Sequence, residues 1–382
     1  MRYLLILFQI LVGCTTLYAD DGIPISRLDY SDINGQLSIA YELWQNGKIK
    51  LAILEIEKQL EADSSLITDA AVILGGNYHL KRLTDNIYTD RVGGFSPSGN
   101  KLAYSQDTFT VRIDDGMFDW LEERNTGLAY YDFTVDKETT LEIFEENPGK
   151  PRFLSDTCIL YIARTDTNPE NTPKINLFAY DLSMGTTTTC FPFQRQSYCP
   201  YENGVIFYDR HEEAIVIKDL QNHEQDVLYH NESMINYRRP LRLIRNFCIG
   251  SDVIMFDAGE SSYKSIYGIS LNGSVPEILI TAPLSFGNDS RYYPAAVNYN
   301  EFAYLVNYYG NIDIYYHKAD KDYRLTFDGG DKYYLAVSPD GSKIAYSYRL
   351  LSQNQESYEI FMLDFSIEAN IEDLMYRFKV YR

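Results

Sequence analysis

Two hydrophobic periods divide this chain. Across residues 36–76 the apolar positions recur at helical spacing, and from residue 78 onward they alternate with polar ones. In the run GKIKLAILEIEKQLEADSS, Gly47, Ile49, Ala52 and Ile56 follow one face of a predicted helix. The preceding segment QLSIAYELWQN predicts a partner helix with Ala40 and Leu43 turned inward. Asp63-Ser64-Ser65 supplies capping oxygens for a third helix, LITDAAVILGG. So short a helical piece cannot bury its own apolar face. It must dock, either on the rest of the chain or on a helix of a partner.

The alternating region is built by repetition. RLTDNIYTDRVGGFSPSGNKLAYS, from Arg82, aligns with RLTFDGGDKYYLAVSPDGSKIAYS, from Arg324. Both read as strand, loop, strand, a Ser-Pro-x-Gly turn, and a strand ending in Ala-Tyr-Ser. Proline fixes φ early in that turn and glycine accepts the positive φ that a tight hairpin needs. Degenerate copies lie between, anchored on Tyr104, Tyr161, Tyr208, Phe256, Tyr304 and Tyr346. A spacing of roughly 40–50 residues is what four short strands and their turns consume. A second register mark is an aspartate closing the third strand, at Asp132, Asp181, Asp219 and Asp364. The expected fold is mainly β, a six-bladed β-propeller with a small N-terminal α-helical segment. The last copy lacks an outer strand, while YHLKRLT, from Tyr78, precedes the first copy with no blade of its own. Residues 78–84 are therefore expected to pair onto the strand of Phe361 and remove two exposed edges.

The repeat unit resembles that of TolB-type propellers, with their WD40-like Ser-Pro-Asp-Gly turns. The helical piece is similar to a tetratricopeptide repeat, with Ser64 where that family often has proline. The implied organisation is a leader at 1–19, a tetratricopeptide-like segment at 20–77, the propeller at 78–366 and an appendage at 367–382. The appendage is expected to be a short helix followed by FKVYR. Resemblance to TolB-like propellers implies binding of proteins around a channel mouth, with partners among envelope proteins, peptidoglycan-associated ones included. The helical segment stands where TolB carries an α/β domain, so TolB's own partners do not carry over.

The first residues change the picture of compartment. Arg2 precedes an apolar run, Tyr3 to Val12, too short to span a bilayer as a mature helix. It ends in Leu11-Val12-Gly13-Cys14, which resembles the lipobox of bacterial lipoproteins and makes Cys14 the lipidated residue. The expected location is the periplasmic side of the cell envelope, with a lipid anchor as the only membrane contact. Cleavage after Ala19, giving a soluble periplasmic or secreted protein, is the alternative. Charge adds an exclusion. With 54 acidic against 34 basic residues and a formal net charge of −20, the surface repels phosphate backbones, so no nucleic-acid partner is expected. Three Asn-x-Ser sequons, at Asn231, Asn272 and Asn288, are read as chance matches beside a lipobox.

Catalytic patterns are sparse. GxSxG, HExxH, P-loop and GxGxxG motifs are absent from the sequence, and the five histidines are scattered. Cys158, Cys190, Cys199 and Cys248 match no CxxC metal spacing and read as buried thiols in strands or as disulfide partners. No catalytic residue, metal ligand or cofactor is assigned. Candidate binding residues are of two kinds. Tyr292-Tyr293 and Tyr333-Tyr334, among 34 tyrosines, are expected just before innermost strands, near the channel opening, where flat rings suit sugars or peptides. Met117, Phe118 and Trp120 lie in an acidic insertion, DDGMFDWLEER, and are costly to expose without a partner. The leading expectation is a noncatalytic binding scaffold. The alternative is a carbohydrate-active propeller, hydrolase or lyase, which requires carboxylates, Arg and Tyr or His converging from several blades in one pocket.

Overall fold

From Tyr78 onward the alternation resolves into six four-stranded antiparallel sheets. The computed structural model describes residues 27–29, 35–86, 88–111, 122–165, 174–193, 197–230, 244–260, 263–271, 276–281, 290–308, 310–328, 330–352 and 355–381. From the channel outward, blade one comprises Thr89–Phe95, Lys101–Val111, Glu122–Asp132 and Lys137–Thr140. Blade two follows with Glu146–Ser155, Cys158–Arg164, Ile175–Asp181 and Thr186–Pro192. Blade three is Tyr198–Tyr201, Gly204–Asp209, Ala214–Asp219 and Gln225–His230. Blade four is Arg245–Ile249, Val253–Glu260, Tyr263–Ser270 and Glu277–Ile280. Blade five is Ser290–Asn298, Glu301–Tyr308, Asn311–Lys318 and Lys321–Arg324. Blade six joins both ends of the fold: Lys332–Val337, Lys343–Ser352 and Gln355–Asp364, with His79–Arg82 outermost. Together they form a six-bladed β-propeller.

The closing strand pairs antiparallel with Gln355–Asp364, opposing His79 to Asp364 and Arg82 to Phe361. The repeated Arg-Leu-Thr explains why a segment almost 280 residues away takes this place. In blade six the Thr84 hydroxyl donates to Glu359 Oε2 at 2.8 Å and accepts from the Ile360 amide at 2.9 Å. In blade five the Thr326 hydroxyl donates to Asp313 Oδ1 at 3.0 Å and accepts from the Ile314 amide at 3.0 Å. The same three residues thus end an outer strand in both blades.

Local chemistry sets the other turns in the same manner. The Gly99 amide donates to the Ser96 carbonyl and the Gly341 amide to the Ser338 carbonyl, each at 2.8 Å, with both glycines at positive φ. Asp132, Asp181, Asp219 and Asp364 each accept from the amide two residues on, at 2.7–2.9 Å. Such a side-chain turn reverses the chain without a further strand pairing. All six anchor aromatics stand on second strands. Five are buried between sheets, whereas Tyr208 is half-buried and faces the channel.

Three helices precede the sheets: α1 (Ser38–Gln45), α2 (Ile49–Ala62) and α3 (Ile67–Ile73). They dock within the chain. Ala40, Trp44, Ala52, Ile53, Ile56 and Leu66 share a core with Leu374 and Phe378 of α4 (Ile371–Tyr381), and Trp44 meets the propeller residue Phe327 edge-on at 4.7 Å. Ala40 and Leu43 face that core as expected, Leu43 partly buried against it, and Trp44 is buried beside them with its ring toward Phe327. One expectation is corrected. Phe378, Lys379, Val380 and Tyr381 are helical rather than a tail after the helix, since Phe378 is needed in that shared core. Among the described residues no helix is long and apolar enough to cross a membrane. Cys158, Cys190, Cys199 and Cys248 are free thiols.

Candidate functional site

A bulge recurs in the innermost strands. The ladder slips by register between Val92 and Gly94, Glu146 and Arg152, Arg245 and Cys248, Tyr292 and Ala295, and Tyr333 and Ala336. Residues at these bulges adopt left-handed backbone: Asn147, Lys150, Asn246, Tyr293 and Tyr334, with φ between 50 and 54°. A left-handed conformation costs a non-glycine residue on the order of 1 kcal/mol or more, and bulges re-aim side chains. Here they aim at the axis. At Gly93 the approach is tightest: a Cβ would lie 2.2 Å from the Pro151 carbonyl oxygen, so only glycine lets blades one and two meet there.

The result is a cavity of about 750 Å³, lined by all six blades at the end of the channel opposite the Ser-Pro-x-Gly turns. Its wall carries Arg91, Lys150, Arg152, Arg164, Arg210 and Arg245. Asp107 is the sole carboxylate among the described lining residues, and Arg91 holds it at 2.8 Å. Arg152 donates to the Gly93 carbonyl. Lys150, Arg164, Arg210 and Arg245 have no ion-pair partner among the described residues. The Lys150 ammonium stands open to channel water yet crowded by protein. Burial pushes its pKa below the ordinary lysine value, and Arg152 and Arg245 add repulsion.

The aromatic side of the wall is held from beneath. Asp257 is buried, accepts from Asn246 Nδ2 at 2.5 Å and from the Tyr293 amide at 3.1 Å, and so ties two bulges together. Burial raises its carboxyl above the usual range, against the pull of Lys264 at 4.0 Å. The rings of Tyr293 and Tyr334 lie 5.6 Å apart, and the Arg91 guanidinium sits over Tyr334 at 5.8 Å. Ser197 accepts from the Phe247 amide at 3.0 Å, and the Tyr198 hydroxyl donates to the Lys150 carbonyl at 2.8 Å.

The sequence-derived candidates separate on this surface. Tyr293 and Tyr334 line the cavity; Tyr292 is buried between sheets and Tyr333 packs on Tyr358 at 5.5 Å. All four lie within innermost strands rather than before them, because the bulges extend the ladder past the tyrosine pairs. Met117, Phe118, Trp120 and Cys14 lie outside the described residues. His79, His230 and His317 are on strands, and His79 and His317 face Asp373 and Asp322. Among the described residues no group of three or more His, Cys, Asp or Glu could hold a metal ion.

The cations were missed because no local motif joins them. One signal was present: the position three past the anchor aromatic is Asp107 in blade one and Arg164 in blade two. Both line the channel.

No protein-family model matches the chain, and no curated protein matches it. Solved structures with similar folds include an oligogalacturonate lyase from Vibrio parahaemolyticus, at 11% identity and a TM-score of 0.43 over 75% of this chain and 97% of that one. The β-propeller domain of the Trilobed protease from Pyrococcus furiosus is similar at 10% identity and 0.46, over 76% and 99%. TolB from Acinetobacter baumannii is similar at 13% identity and 0.41, over 76% and 84%.

Proposed function

We propose that this protein is a noncatalytic binding scaffold of the cell envelope, and that its ligand enters the mouth of the central channel. The observation that carries the reading is the cavity itself. It is open and assembled from all six blades, and on its wall Asn147, Lys150 and Asn246 hold left-handed backbone that costs stability without contributing to the core. A scaffold with no use for the channel has no reason to retain them. The anchor at Cys14 and partners among envelope proteins, including those near peptidoglycan, belong to the same proposal and rest on the N-terminal sequence and the repeat resemblance.

Catalysis on a carbohydrate is the second reading, and Lys150 is what favours it. An ammonium pushed toward the neutral form is a candidate base. Against it, a paired acid and base do not converge: the described lining residues include one carboxylate, engaged by Arg91, and no histidine.

The test exploits Gly149, which lines the cavity and has open space where a Cβ would stand. Full-length protein and Gly149→Trp are used as baits in crosslinked envelopes. The expected outcome is a reproducible set of partners that the plugged variant loses while its unfolding transition is unchanged. Recovery of no partner across several detergents, or recovery indifferent to the plug, defeats the reading.

A further inference from the structure

We propose that the channel mouth selects a short carboxylated oligosaccharide, with Lys150, Arg164, Arg210 and Arg245 receiving carboxylates and the faces of Tyr293 and Tyr334 receiving sugar rings. This rests on the reading of the channel as the binding site and adds the chemical class of its occupant.

The argument starts from charge. A chain of formal charge −20 places six basic residues around one cavity and, among the described lining residues, opposes them with one carboxylate that is already paired. Like charges brought together in a partly desolvated recess repel, and the Lys150 ammonium, disfavoured first by burial, is disfavoured further by Arg152 and Arg245. Left empty of anions the arrangement is unfavourable; an anionic ligand relieves it. A positive recess in a negative body also focuses the field, so small anions are drawn to the channel while extended polyanions are turned away at the rim.

The rest of the wall chooses among anions. Inorganic polyphosphate needs no rings, yet Tyr293 and Tyr334 present theirs at the cost of left-handed backbone. An extended peptide adding to an inner strand needs a flat, unpaired edge, and five of the six innermost strands are bulged. Sugar rings stack on tyrosine faces, and their hydroxyls suit the amides and hydroxyls of Asn147, Asn246, Ser105 and Thr126 between the cations. A volume of about 750 Å³ falls within the ~300–1,000 Å³ usual for such sites and accommodates roughly two or three sugar rings. The carboxylate can belong to a uronic acid or to a lactyl ether on an amino sugar, as in cell-wall glycan.

The experiment is calorimetric titration of the full chain with five probes. They are a hexuronic acid trisaccharide, its neutral hexose counterpart, an amino-sugar disaccharide with a lactyl carboxylate, tripolyphosphate and an acidic hexapeptide. One or both carboxylated sugars are expected to bind at least ~10-fold more tightly than the neutral trisaccharide, with affinity falling as salt rises. Arg164→Gln and Arg245→Gln are expected to weaken that binding ~10-fold each while their unfolding transitions stay in place. Which carboxylated sugar binds identifies the source. Equal affinity for the neutral trisaccharide, tighter binding of tripolyphosphate or peptide, or no binding of either carboxylated sugar overturns the inference. If a neutral sugar or peptide binds and Gly149→Trp abolishes it, the channel reading survives and only the ligand class falls. If Gly149→Trp leaves every bound probe unaffected, both fall.

Discussion

The channel mouth and the seam where the two ends of the fold meet both gather charged groups, and they dispose of them in opposite ways. In the seam Arg377 and Asp373 are held by hydrogen bonds within the chain. Arg377 of α4 is buried and donates to the carbonyls of Ala71 at 3.1 Å, Gly76 at 2.8 Å and Tyr78 at 2.9 Å. Its guanidinium also lies 3.9 Å from the centre of the Tyr78 ring, whose hydroxyl donates to Leu325 at 2.9 Å. Asp373 caps α4 by accepting from the Asn370 amide at 2.9 Å, and it also accepts from the Leu80 amide of the closing strand at 2.9 Å. In the channel, Arg164, Arg210 and Arg245 have no ion-pair partner among the described residues. The same side chain closes a structure in one place and, on the proposed reading, meets a ligand in the other. Burial with partners marks the first; openness among like charges marks the second.

The largest effect that separates them is a pair of arginine truncations. Arg377→Ala removes three charge-assisted hydrogen bonds to buried carbonyls, of which those of Ala71 and Gly76 keep a backbone donor, together with the ring contact, so a loss of about 3 kcal/mol is expected. Arg245→Ala removes an exposed cation and should lie within about 0.5 kcal/mol of the parent. Urea unfolding of the full chain reads both. Comparable losses from the two substitutions would erase the distinction.

Next in size is a titration confined to the seam. Asp90 and Arg91 are neighbours on one strand; Arg91 reaches the channel, while Asp90 is buried beside Asn86, with Glu359 close enough to repel it. Burial raises the Asp90 carboxyl to about 7, opposed in part by bonds from Thr84 and Asn86. Between about pH 4 and pH 7 the folded protein then holds a proton that the unfolded chain has released. Stability from this group is full below pH 4 and is lost as pH rises through 7, by on the order of 4 kcal/mol. Asp90→Asn should therefore stabilise the protein at pH 8 and make little difference near pH 4. An advantage that does not shrink on acidification would show that the seam does not hold this proton.

Particular residues explain what could be read in advance. Propeller, blade number and ring closure were legible because each rests on short, repeated chemistry: the Ser-Pro-x-Gly turns, the aspartates at Asp132 and Asp181, and Arg-Leu-Thr at Arg82 and Arg324. A local motif reports a local conformation, and the repeat carries it around the ring. The docking of α1–α3 on α4 was not legible, since Leu374 and Phe378 look like any helical pair until the closing strand brings both chain ends together. The site was half legible. Tyr293 and Tyr334 stood out as pairs, but the bulges decide which member of each pair faces the axis. Arg164, Arg210 and Arg245 converge only through the circle, from segments up to 81 residues apart.

The smallest effect has the opposite sign and bears on the channel alone. Lys150 combines three local costs: a left-handed backbone at φ 53°, crowding that disfavours its charge, and repulsion from Arg152 and Arg245. Glycine removes all three, since it takes positive φ freely and carries no side chain, while its own greater freedom in the unfolded chain offsets part of the gain. Lys150→Gly is expected to raise stability by about 1 kcal/mol, read as a higher urea midpoint with unchanged slope. The same variant should bind a carboxylated sugar more weakly than the parent. Stabilisation with binding intact would mean that the lysine serves no ligand. A loss of stability would mean that its ammonium already has a partner within the fold, which would set it beside Arg377 and Asp373 of the seam rather than with the cations of the channel.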